Sequence, residues 1–238
     1  MIRRAWAALT AAPAYPSTDA DRRTIGLVGL ELPIRATVAI VVVTLALLVD
    51  YSRTFIPADV ADLGRAPAAT RTYAIERFVL FGIVPLLVVL GGFRDQPSRY
   101  GLTLGDWRWG LGLMLLGSAV MTPIVLAFAG LPDVRAYYAP SAAPVADVLI
   151  TNALELTATE FAFRGFLMLT LVRVIGPLGV VVAALPFVFG HLGKPELELF
   201  STLGGGLVYG WLAWRTRSIV WGAIGHSYIL TLVTVAAA

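Results

Sequence analysis

The chain has 238 residues, of which 58% are hydrophobic and 14% charged, with a net charge of +3 and no cysteine; its mean hydropathy is +0.80. A soluble domain does not carry that balance, so the composition places the chain in a membrane, and the basic excess reads as topology and not as a nucleic-acid face. The missing cysteines exclude a disulfide framework, a thiolate metal site and a cysteine nucleophile.

Arg3 and Arg4 precede an alanine-rich stretch that loosely mimics a signal peptide, but Pro13, Pro16 and the charged run Asp19 to Arg23 interrupt it before an apolar core develops. Residues 1–28 are therefore expected to form a cytoplasmic tail, with Trp6 and Leu9 resting on the lipid surface. Residues 29–238 read as a single transmembrane domain. Seven apolar segments follow, at 31–50, 76–93, 109–130, 146–171, 176–192, 196–214 and 217–237. Several lie near the short limit for crossing hydrocarbon. The expected fold is all-α, a polytopic transmembrane helix bundle of about seven to eight spans. Pro85 and Pro186 fall inside spans and predict kinks, and the fifth segment and its neighbours are candidates for re-entrant structure.

With the N-terminus inside, Arg3, Arg4, Arg22, Arg23, Arg35, Arg94, Arg99, Arg108, Arg173, Arg215 and Arg217 fall on or toward the cytoplasmic side, as does Arg164 within its helix. Arg53, Arg65, Arg71, Arg77, Arg135 and Lys194 fall opposite. The bias supports a multi-pass protein of the cell membrane with a cytoplasmic N-terminus.

Ionisable groups within spans are costly unless they face one another or a wet cavity. His191 and His226, the two histidines of the chain, each sit in an apolar segment directly behind a glycine. The fourth segment carries Glu160 and Arg164, neighbours on one helical face. The plain reading of this pair is a structural clamp. The chemical reading makes Glu160 a general base beside two imidazoles. Glu155 shares a face with Thr159, one turn later, and lies about 140° around the helix from Glu160. It could equally be an interfacial carboxylate. Gly206 and Gly210 form a small face on the sixth segment that lets helices approach closely.

These residues, from about 145 to 230, resemble the CPBP family of intramembrane endopeptidases, the CaaX-protease and bacteriocin-processing (ABI) group. Thr159-Glu160-Phe161-Ala162-Phe163-Arg164-Gly165 lies on its Glu-Glu-x-x-x-Arg motif, Phe187 to His191 on its Phe-x-x-x-His motif, and Arg215-Thr216-Arg217-Ser218 with His226 on its last region. The sequence departs twice: the water-activating glutamate of the family is Thr159 here, and the asparagine four residues after the last histidine is Leu230. The resemblance implies a catalytic core within 145–238 and hydrolysis of a peptide bond in a membrane-embedded or membrane-anchored polypeptide. Glu160, with Glu155 in reserve, would activate water between His191 and His226, while Arg164 and Thr159 would play supporting parts. No cofactor is implied. A zinc ion held by Glu160, His191 and His226 is the metal-dependent alternative. The two departures keep a third account open, a membrane scaffold or immunity protein that binds a partner helix without cutting it. A transporter would call for repeated halves, which the chain lacks.

Overall fold

The computed structural model describes residues 2–11, 13–52, 55 and 68–238. It is a polytopic helical bundle. The tail begins with helix α1 (Ile2–Thr10) and the single turn α2 (Asp19–Arg22). An element that the apolar pattern did not announce comes next, a hairpin of β1 (Thr24–Leu27) and β2 (Leu30–Pro33). Its two-residue turn has Val28 at φ 49° and Gly29 at φ 81°. Both angles are positive, as the mirror-image hairpin turn requires, and Val28 is the strained member because a β-branched side chain disfavours that region.

Helix α3 (Ile34–Ser52) starts directly after Pro33, three residues later than the apolar run, because those residues pair in the hairpin instead. The second span runs continuously over Ala69–Gly92. Within it, α4 (Ala68–Arg77) and α5 (Val84–Leu87) alternate with π-helical stretches at Phe78–Ile83 and Val88–Gly92. Pro85 lies among these, where a change of helical register can absorb the hydrogen bond that proline cannot make. After α6 (Trp107–Ala129) and the short α7 (Pro132–Tyr138), helix α8 (Val145–Glu160) continues without a break through a π-helix at Phe161–Met168 into α9 (Leu169–Ile175). Helices α10 (Leu178–Phe189), α11 (Glu196–Thr216) and α12 (Val220–Ala237) complete the chain. Among the described residues, four helices are long and apolar enough to cross a membrane, Ile34–Ser52, Ala69–Gly92, Trp107–Ala129 and Val220–Ala237, and Leu178–Phe189 is a shorter apolar helix.

The rod formed by α8, the π-helix and α9 is the axis of the molecule. Every residue from Ala158 to Arg173 is buried, on all sides of the helix, as expected of a helix enclosed by others. Gly165 makes the enclosure possible. A Cβ there would lie 2.4 Å from the carbonyl oxygen of Tyr100, so only glycine lets that loop approach. Gly206 packs on Phe187 and Ala184, and Gly210 on Val180. The small face of α11 therefore lies against α10, the helix that leads to His191.

Consecutive spans reverse direction, which gives the bundle two ends. At the tail end, Tyr15 donates to Trp214 O (2.8 Å) and Arg173 to Arg99 O (3.0 Å), while Asp106 N donates to Thr216 O (2.8 Å). Asp21 is the knot there. Its carboxylate takes Arg35 and Arg99, each at 2.9 Å, and Arg173 at 3.4 Å, and Asp95 bridges Arg35 and Arg99 at 2.7 Å each. At the far end, Tyr51 donates to Phe189 O (2.6 Å), Tyr138 to Glu198 (2.7 Å), and Thr70 Oγ1 lies 3.2 Å from Ser141 Oγ. Arg53 and Arg65, assigned to that side from sequence, lie outside the described residues.

Candidate active site

Glu160 is the last residue of α8 before the π-helix, and it has no exposed surface. Its Oε1 accepts a hydrogen bond from His226 Nδ1 at 3.0 Å. Arg164 Nη1, one turn on, lies 3.4 Å from the same oxygen. Gly222 creates the room: a Cβ there would stand 3.2 Å from Glu160 Oε2. The Arg164 guanidinium lies 3.6 Å from the centroid of the Phe187 ring, close enough for a cation–π contact. Neither Arg164 Nη atom nor Glu160 Oε2 has a hydrogen-bond partner. Buried polar groups are nearly always paired, so three orphans on two adjoining side chains are unusual.

Phe187 joins the two histidines. Its ring centroid is 4.6 Å from that of His191 and 5.9 Å from that of His226. Tyr209 of α11 stacks on the other contact surface of His226, at 5.2 Å and 18°. His191 stands in the turn after α10, where its Nδ1 lies 2.9 Å from Phe187 O. A carbonyl and a carboxylate can only accept, so in both neutral imidazoles Nδ1 carries the proton and Nε2 is left with a free lone pair. The fourth, fifth and seventh apolar segments thus converge, and Glu160, Arg164, His191 and His226 form one cluster.

Glu155 and Thr159 stand apart from it. Thr159 Oγ1 donates to Glu155 O at 2.9 Å, turning the hydroxyl back onto its own helix. Glu155 Oε1 accepts from Arg77 Nη1 at 2.9 Å, and Arg77 also holds Asp50 through two hydrogen bonds, 3.0 Å and 2.7 Å. Glu155 borders a cavity of about 370 Å³, shared with Arg77, Tyr138, Asn152, Lys194 and Leu230. Lys194 pairs with Glu198 at 2.8 Å and donates to Tyr138 Oη at 3.1 Å. His191 stands in the same connection between α10 and α11 as Lys194, three residues before it.

Among the described residues no three histidine or carboxylate side chains converge as a ligand set.

Sequence reasoning did not single out four residues of the site. Arg77 was visible as a charge inside the second span, a sufficient signal by itself. Asn152 precedes Glu155 by three positions and so shares its face; its Nδ2 donates to Thr231 Oγ1 at 3.2 Å. Asp50 was visible as the charge that ends the first apolar segment, whereas Tyr209 carries no sequence signal, since only the tertiary fold brings it in.

Residues 141–231 match the family model described as type II CAAX prenyl endopeptidase Rce1-like, the same family of membrane proteases to which the motifs pointed. No curated protein and no solved structure matches the chain.

Proposed function

We propose that this integral membrane protein is an endopeptidase of CPBP type, hydrolysing a peptide bond in a membrane-embedded or membrane-anchored polypeptide. The observation that carries the reading is the Glu160–His226 hydrogen bond, which holds the imidazole with Nε2 bare. In this mechanism His226 Nε2 removes a proton from water as the water oxygen attacks the scissile carbonyl. The tetrahedral intermediate then collapses, and the imidazolium returns the proton to the departing amine. Glu160 is a positioning residue: it fixes the tautomer and steadies the positive charge that His226 acquires, as carboxylates behind catalytic imidazoles do. Its complete enclosure leaves water no path to it, which moves the base role from Glu160 to His226. Glu155, paired with Arg77 at the wall of the cavity, stands apart from His226 and is the reserve carboxylate. His191, with its own Nε2 free, orients the water from the second side.

The test is cleavage of candidate membrane peptides by the full chain in liposomes. Wild type should cut, whereas His226→Ala and His191→Ala should each lose about 100-fold or more in kcat, the scale of general acid–base catalysis. Equal rates in all three would refute the assignment.

A second reading, a bundle that binds a partner helix without cutting, is favoured by Thr159, whose hydroxyl is engaged by its own helix where the family carries a glutamate. A chain that cuts nothing before or after Thr159→Glu, yet captures a partner with His191→Ala as well as with wild type, supports that reading.

A further inference from the structure

The two ends of the bundle differ in charge. At the tail end stand Arg94 and Arg99, between α5 and α6; Arg108, in the first turn of α6; Arg173, in the last turn of α9; Arg215, in the last turn of α11; and Arg217, in the turn between α11 and α12; Arg22 and Arg23 belong to the tail. The described far end carries Arg71, Arg77, Arg135 and Lys194. Basic residues in short connections are retained on the cytoplasmic side during insertion.

The cavity belongs to the end with fewer basic residues among those described. Its walls include Thr70 at the start of α4, Tyr137 and Tyr138 of α7, Ser141 in the connection to α8, and Lys194 in the connection to α11. All of these lie at the far end of the bundle, as do the Tyr51–Phe189 and Thr70–Ser141 contacts. His191 stands in the same α10–α11 connection. The tail end, in contrast, is closed over by the Asp21 knot and by the loop that packs on Gly165.

We infer that the cavity and the histidine cluster beneath it are reached from the non-cytoplasmic face of the membrane, so that the substrate is a polypeptide segment already carried across. The inference rests on reading this site as the place of hydrolysis. It narrows the substrate class to secreted or membrane-anchored polypeptides whose scissile bond lies at or beyond the outer leaflet. A lipid-modified C-terminus that stays in the cytoplasm would meet the closed end.

The chain has no cysteine, so single-cysteine variants report without background. Ala142→Cys lies in the exposed connection at the rim of the cavity, and Asp133→Cys, exposed in the first turn of α7, is a second reporter should the first disturb folding. Ser98→Cys is exposed in the tail-end connection. The probe is a membrane-impermeant maleimide applied to intact cells expressing the full chain, and again after permeabilisation. The expected result is labelling of Ala142→Cys and Asp133→Cys in intact cells, and of Ser98→Cys after permeabilisation alone. Labelling of Ser98→Cys in intact cells, or none of the two rim variants until permeabilisation, overturns the inference. Labelling requires no activity, so a protein that cuts nothing can still pass this test, and an active one can fail it.

Discussion

His226 Nδ1 meets Glu160 Oε1 at 3.0 Å, and this bond decides which imidazole nitrogen is left for chemistry. If the carboxylate acts by holding the tautomer and balancing the imidazolium, Glu160→Gln should lower kcat by about 100-fold or more while leaving KM nearly unchanged, because the lost interaction strengthens only as charge develops. Steady-state kinetics on a cleaved peptide checks this. A rise in KM with kcat intact would place Glu160 in substrate binding instead.

Arg164 is 2% exposed, and its charge is balanced by Glu160 at 3.4 Å and by the face of Phe187. Removing one partner of a buried pair leaves the other charge uncompensated, at a cost of about 3–5 kcal/mol. Arg164→Met should therefore lower the thermal unfolding midpoint in detergent markedly. The double variant Arg164→Met with Glu160→Gln should recover much of the loss, since neither charge is then stranded. A single variant as stable as wild type would mean that the pair contributes nothing.

Much of this was legible in the sequence, and the reasons differ by element. The seven apolar segments map onto helices because hydrocarbon admits no unpaired backbone, which makes hydropathy a direct signal. Glu160, Arg164, His191 and His226 stood out because an intramembrane ionisable group is expensive. The hairpin at Thr24–Pro33 was missed because Ile25, Leu27, Leu30 and Leu32 alternate within the approach to an apolar run and were absorbed into the tail and the first span. The different surroundings of Glu160 and Glu155 were hidden as well. Their angular separation was readable, but which one faces the cavity depends on Arg77 of α4 and Asp50 of α3, remote from α8 in the chain.

Asp21 lies outside the spans and is 1% exposed. Burial pushes its pKa up, but hydrogen bonds from Thr18, Arg35 and Arg99 overcome that and hold it well below the usual carboxylate range. A group whose folded pKa is depressed stabilises the fold at pH above its unfolded value and loses that contribution as pH falls toward the folded one. Asp21→Asn should thus lower the unfolding midpoint at neutral pH, and the gap to wild type should begin to close below about pH 4. Unfolding scans across that range read the effect. A gap that stays constant with pH would show that the carboxylate charge is not what ties the tail to α3 and α9.

The last prediction concerns the second departure from the family pattern. Leu230 cannot donate a hydrogen bond to a developing oxyanion, yet it borders the cavity together with Asn152, whose amide reaches Thr231, the residue next to Leu230. The carboxamide missing from α12 is thus offered from α8, beside the same turn. If Asn152 supplies that donor, Asn152→Leu should lower kcat by about 100-fold, the scale of losing one oxyanion contact. Adding Leu230→Asn to that variant should restore a large part of the activity by returning the amide to α12. Leu230→Asn alone should change the rate little, because a donor is already present. Kinetics of the two single variants and the double variant, with unfolding midpoints measured alongside, separates this from a packing effect: an amide lost only for the Thr231 contact would lower stability in Asn152→Leu without a recovery of kcat in the double variant.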